Sequence, residues 1–197
     1  LEPIEDPNEM GLKLTDAIAR LRANTSYKQA FADTFESEPN PETLRRSLAT
    51  FVRGIVTGDA PYDRFLLGEV GAMTAQQRHG QWIFESKGAC WKCHTPPLFT
   101  DERFHNTGIG VLNGKPEPGR MAATKNEQDA GKWKTPTLRS VRMTAPYMHD
   151  GSLATLEDVV AFYVRGGNPN THLDRKVNKL DLSKEDQAAL VAFLQSL

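Results

Sequence analysis

Gly88-Ala89-Cys90-Trp91-Lys92-Cys93-His94 holds both cysteines of the chain, spaced C-x-x-C, with a histidine directly after the second. Two thiols at this spacing can add to the two vinyl groups of one porphyrin. The imidazole that follows can then ligate the iron, so C-x-x-C-H is the attachment signature of c-type haem. Two other chemistries compete for these residues and fit less well. A redox-active C-x-x-C wants a strand-to-helix turn in an α/β fold, and no segment here reads as a convincing strand. A structural zinc site wants four ligands, and no second cysteine pair exists. Covalent haem attachment also implies maturation outside the cytoplasm, and hence a periplasmic or exported protein.

With His94 as the expected proximal ligand, the opposite face of the iron remains to be assigned. Met121, Met143, Met148, His105, His149, His172 and Tyr163 could each supply an atom there. An electron carrier would use Met or His, and Met raises the reduction potential. Spacing alone favours Met148 or Met143 and does not decide. Trp91, between the two cysteines, reads as a packing residue or an electron relay.

The elements that must position these groups read as helices. Leu14, Ile18 and Leu21 share one face of a segment from about Leu12 to Ala23. Asn40 as N-cap and Pro41 at the first helical position open a second helix, striped by Leu44, Leu48, Phe51, Val52 and Ile55. Thr74 and Gln77 form a capping box ahead of Trp82, Ile83 and Phe84. A fourth helix starts at Thr155 and ends at Gly166-Gly167, and a fifth starts at Ser183 with Asp186 three residues on. Pro3 and Pro7 predict an opening loop. Between the third and fourth helices, residues 95–152 show no periodicity, and four prolines and four glycines at 95–120 forbid a continuous helix. Such a long irregular stretch suggests organisation by a large cofactor.

The charge balance of 24 Lys+Arg against 25 Asp+Glu gives no basic excess for nucleic acid. No apolar run approaches the length of a membrane span. The 197 residues can bury a real core. A start at Leu1 without an initiator Met is expected of a processed or truncated product.

Four further blocks carry a resemblance. They are Phe104-His105-Asn106, Lys134-Thr135-Pro136-Thr137-Leu138-Arg139, Thr144-Ala145-Pro146-Tyr147-Met148-His149-Asp150-Gly151 and Thr155-Leu156-Glu157, with Asp6-Pro7-Asn8-Glu9-Met10-Gly11 near the start. Together with C-x-x-C-H, and over essentially the whole chain, they resemble the bacterial di-haem cytochrome c peroxidase/MauG family. The resemblance implies an all-α fold: a cytochrome c-like haem domain at 74–197 and a helical N-terminal arm at 1–73. That arm would pack with an N-terminal haem domain not present in this sequence. It implies one covalent haem c on this chain, held by Cys90, Cys93 and His94.

The peroxidase branch places a Met ligand fourteen residues beyond the histidine of the H-D-G block. Here that count from His149 lands on Tyr163, which resembles the MauG branch, where a tyrosine ligates this haem. An anionic oxygen favours ferric iron more than a thioether does. The implied activity is a haem-dependent peroxidase that uses hydrogen peroxide to oxidise a partner protein, typically at tryptophan. An ordinary cytochrome c peroxidase fed by a small cytochrome, and a non-enzymatic mono-haem electron-transfer module, are the alternatives. By the same resemblance Glu9 matches an acid/base glutamate that serves peroxide at the other haem, and Pro3 a proline of that pocket. The carbonyls of Thr144 and Pro146 match calcium-binding positions. His149 is expected to hydrogen-bond near the haem edge rather than to ligate iron.

Overall fold

The computed structural model describes all 197 residues, and its contacts divide them into two units, 1–56 and 57–197. The first unit contains α1 (Glu2–Glu5), α2 (Leu14–Ala23), α3 (Thr25–Phe35) and α4 (Pro41–Gly54). The expected opening loop is instead helical at α1, because Pro3 occupies the first turn, where a missing N–H costs nothing. Helix α3 has no clear apolar stripe, and what starts it is the Asn24 side chain, which accepts from Ser26 N and Tyr27 N. Asn40 does the same for α4, and Thr43 reaches back to the Asn40 N–H. Ile4, Ile18 and Phe31 are buried within this unit, whereas Leu48, Phe51 and Val52 of α4 and Ile55 just after it are exposed.

The second unit holds α5 (Pro61–Leu66), α6 (Ala75–Glu85), α7 (Met121–Thr124), α8 (Leu156–Val164) and α9 (Lys184–Leu194). Four two-residue strands pair as two small ribbons: β1 (Phe104–His105) with β4 (Trp133–Lys134), and β2 (Val111–Leu112) with β3 (Lys115–Pro116). The expected break at 73/74 falls inside this unit, since Tyr62 and Met73 join its buried core. Its helices start where their capping boxes lie, at Thr74–Gln77, Thr155–Asp158 and Ser183–Asp186.

Helices α6 and α9 cross in close contact at Gly80. An added Cβ there would lie 2.6 Å from the Ala189 carbonyl carbon and 2.7 Å from Phe193 Cβ. Around this crossing Tyr62, Phe84, Phe99 and Phe193 meet edge to face, with centroids 5.1–6.2 Å apart. Main-chain bonds from Tyr62 N to Ser196 O and from Ser140 N to Leu197 O tie α5 and the irregular segment to the C-terminus.

The irregular segment is ordered by polar bonds rather than by periodicity. Asn106 is fully buried. Its amide donates to Ala130 O, exchanges bonds with the Asn170 amide and accepts from Gly108 N, while its own carbonyl accepts from Asp174 N. A second tie is Arg139, which pairs with Asp63 at 2.7 Å, donates to Pro97 O and lies over the Phe99 and Tyr62 rings. No helix is long and apolar enough to cross a membrane.

Candidate functional site

A cavity of about 540 Å³ lies within the second unit, a volume suited to a cofactor-sized ligand. Helix α8 lines it with Leu156, Val159, Val160, Tyr163 and Val164, the positions that one helical face repeats. Leu190 and Leu194 of α9 add to the apolar wall, and Cys90, Cys93 and His94 face in from the turn after α6.

The histidine is oriented by the main chain. His94 Nδ1 is 2.8 Å from Phe99 O, an atom that can only accept, so Nδ1 carries the proton and Nε2 keeps its lone pair. Phe99 makes that bond from φ 54°, a conformation a bulky residue rarely adopts. Its buried ring, the Arg139 bond to Pro97 O and the Thr137 bond to Leu98 O hold it there. Burial pushes the imidazole toward its neutral, ligating form, outweighing the Phe99 hydrogen bond that favours the charged one.

Burial also pushes the Cys90 thiol up to about 12, and it raises Cys93 as well. A thioredoxin-type thiolate needs the opposite shift, so the pair suits covalent attachment better than thiol–disulfide exchange. Two thiols, an oriented imidazole and an apolar chamber fit a haem held by Cys90, Cys93 and His94.

The candidates for the opposite ligand separate on geometry. Met143 is 76% exposed, and neither it, Met121 nor His172 lines the cavity. His105 does line it, but its nitrogens bond Asp174 at 2.6 Å and Asp101 at 2.8 Å, so neither is free for iron. That bonding also uses up His105 in the cluster of Cys93, Asp101 and His105, whose ligand atoms lie within 4.8 Å of one another. His149 bonds Glu117 through Nε2 at 3.0 Å and stacks on Trp133. Met148 and Tyr163 remain, and both line the cavity. Burial pushes the Tyr163 phenol up to about 12. It therefore becomes a phenolate only against a cation that inverts the local preference.

Thr144 and Pro146 line the same cavity. Glu9 is exposed on the turn after α1, where its N–H bonds Asp6 O. Trp91 is 46% exposed and does not line the cavity, which argues against a packing role there. Two features escape sequence reasoning: the Asp101–His105–Asp174 chain, whose members are up to 73 positions apart, and the Trp133–His149 stack.

Comparison with known proteins finds relatives that align over nearly the whole chain. A family model described as di-haem cytochrome c peroxidase matches residues 1–71. The methylamine utilization protein MauG of Methylorubrum extorquens is 36% identical over 201 residues, covering 99% of this chain and 56% of that protein. Cytochrome c peroxidase Ccp of Escherichia coli is 33% identical over 202 residues, covering 99% of this chain and 41% of that protein. The crystal structure of a MauG-like protein associated with microbial copper homeostasis superposes with a TM-score of 0.90 at 32% identity, covering all of this chain and 67% of that one. The chain thus spans about half the length of the curated relatives it matches.

Proposed function

The chain belongs to the di-haem cytochrome c peroxidase family, and from that premise we propose that it is the C-terminal haem-bearing part of a periplasmic, MauG-like peroxidase. The reaction is reduction of hydrogen peroxide to two waters with two protons and two electrons, the electrons coming from a protein substrate oxidised at tryptophan. The observation that carries this reading is Tyr163, on the cavity-facing stripe of α8 and in the same chamber as Cys90, Cys93 and His94.

A bound haem supplies one-electron redox chemistry. The chain's own residues set its terms. Cys90 and Cys93 would tether the group, and the Phe99 carbonyl holds the His94 proton on Nδ1, so that Nε2 would be the ligating atom. Tyr163 would hold the group through its phenol oxygen, an anionic donor of the kind that suits ferric iron once deprotonated. The Arg139, Thr137 and Phe99 contacts keep the imidazole from turning. Resemblance supports the remaining roles: Glu9 as acid/base group toward peroxide at the other haem, and the Thr144 and Pro146 carbonyls as hard donors to calcium.

Met148 lines the cavity as well, and that favours a second reading. With a thioether ligand the same site would accept electrons from a small cytochrome, as in an ordinary cytochrome c peroxidase. Intact-mass measurement should find one covalent haem on the chain. Tyr163→Met should raise its reduction potential and change its ferric spectrum, while Met148→Leu leaves both in place. The reverse pattern would move the ligand to Met148 and favour the second reading. A chain without covalent haem would remove both.

A further inference from the structure

Trp133 is held in an unusual way for a surface aromatic. Its backbone is fixed opposite His105 in the β1–β4 ribbon. Its indole lies 3.9 Å from the His149 ring, with only 17° between the planes. Near-parallel overlap of this kind is uncommon among aromatic pairs, which more often meet offset or edge to face. His149 is itself braced by Glu117 at 3.0 Å. The Glu117 carboxylate in turn packs over Gly110, where an added Cβ would come within 2.7 Å of Oε2. Gly110 also adopts φ 68°, a conformation disfavoured for any residue with a side chain.

The stack spans the wall of the chamber. Trp133 and His149 both line the cavity, yet the indole is also 39% exposed to solvent. Trp82 and Trp91 are more exposed, at 56% and 46%, but neither lines the cavity. Of the three tryptophans, Trp133 alone touches both the chamber and the outside.

We infer that Trp133 is the electron port of this domain, relaying single electrons between the chamber and an oxidisable side chain of a protein partner, with His149 and Glu117 positioning its indole. The inference rests on the peroxidase reading and adds to it the place where electrons cross the protein surface. Each peroxide reduced to two waters draws two electrons and two protons. Each electron leaves the Trp133 indole inward and is replaced by one from the partner, so no bond forms or breaks at Trp133. Without a partner the oxidation stays on the indole. Two equivalents and one water then add a single oxygen to the ring and release two protons, so the net change is tryptophan plus peroxide giving oxygenated tryptophan plus water.

That side reaction supplies the test. The full-length protein, loaded with both haems, is treated with hydrogen peroxide alone, without any donor, and its tryptophans are mapped by peptide mass spectrometry. Solvent oxidation would follow exposure and modify Trp82 and Trp91 ahead of Trp133. An electron port gains one or two oxygen atoms at Trp133 first, although it is the least exposed of the three. Trp133→Phe, which keeps the stacking ring, should leave no preferred site and hasten loss of haem absorbance, since oxidation then has no exit. Modification in order of exposure, or unchanged haem bleaching in Trp133→Phe, overturns the port while leaving the peroxidase reading intact. Failure of the full-length di-haem protein to consume peroxide overturns the reading itself, and the port with it.

Discussion

Replacing Gly80 by alanine tests whether the α6–α9 crossing sets the geometry of the chamber. The new Cβ would meet the Ala189 carbonyl carbon at 2.6 Å, against the 3.4 Å at which ordinary contact begins, and would crowd the carbonyl oxygen still more. Backbone cannot swing aside as a flexible side chain can. The helices must therefore part by at least about 0.8 Å, at the upper end of overpacking costs, about 3 kcal/mol. Alanine's better helix propensity offsets about 1 kcal/mol of this. The net loss is about 2 kcal/mol, or a Tm lower by roughly 4–8 °C for a chain of this size. Gly71→Ala is the control, because nothing lies within 4 Å of its added Cβ. It should leave Tm unchanged or raise it slightly, since a less flexible unfolded chain gains up to about 1 kcal/mol. Thermal melts of the haem-loaded proteins followed by circular dichroism would decide. If Gly80→Ala melted with the parent, or Gly71→Ala lost as much, close packing at the crossing would not be the constraint.

Two further outcomes follow from the polar ties. Arg139→Met removes the partner of the partly buried Asp63 and frees the Pro97 carbonyl. Urea unfolding should show a loss of about 2–3 kcal/mol, below the full cost of an orphaned buried charge because Asp63 retains some solvent, and the ferric spectrum should shift as Phe99 loosens its hold on His94. A loss under about 0.5 kcal/mol would show that the pair is not a tie. Asp101 sets an acid limit. Burial would raise its carboxyl, but bonds from His105, the Arg103 N–H and Thr135 outweigh it and hold the group at about 2. The folded state then binds fewer protons, so this stability is complete above the unfolded value of 3.8 and is lost as pH falls toward 2. Asp101→Asn should flatten that decline by about 1–2 kcal/mol in unfolding measured across the same window. An unchanged acid limb would mean that the His105 bond gives Asp101 no net stabilisation.

What could be read in advance was local. Caps at Asn40, Thr74, Thr155 and Ser183 announce four helices, because each cap and its N3 partner lie in one short window. Tyr163 falls on the cavity side because it keeps register with Leu156 and Val160. Helix α3 went unseen for lack of a stripe, although Asn24 carried its start signal. The irregular segment resisted for a different reason. His105 finds one carboxylate four residues away and the other sixty-nine away, and His149 meets Trp133 only after the β1–β4 ribbon forms. Pairings of that kind leave no periodic trace.

Asn106 shows where the instructions for such a segment reside. A side-chain amide offers two donors and an acceptor oxygen, and this one bonds three separate stretches of chain: the turn at Gly108, the turn at Ala130 and the loop at Asn170. Aspartate lacks the donors, glutamine displaces them by a bond length, and leucine offers nothing. A helix spreads its specification over a stripe of interchangeable apolar positions, and any one of them can drift. Here the joining of three stretches between Gly108 and Asn170 is concentrated on one side chain with no synonyms.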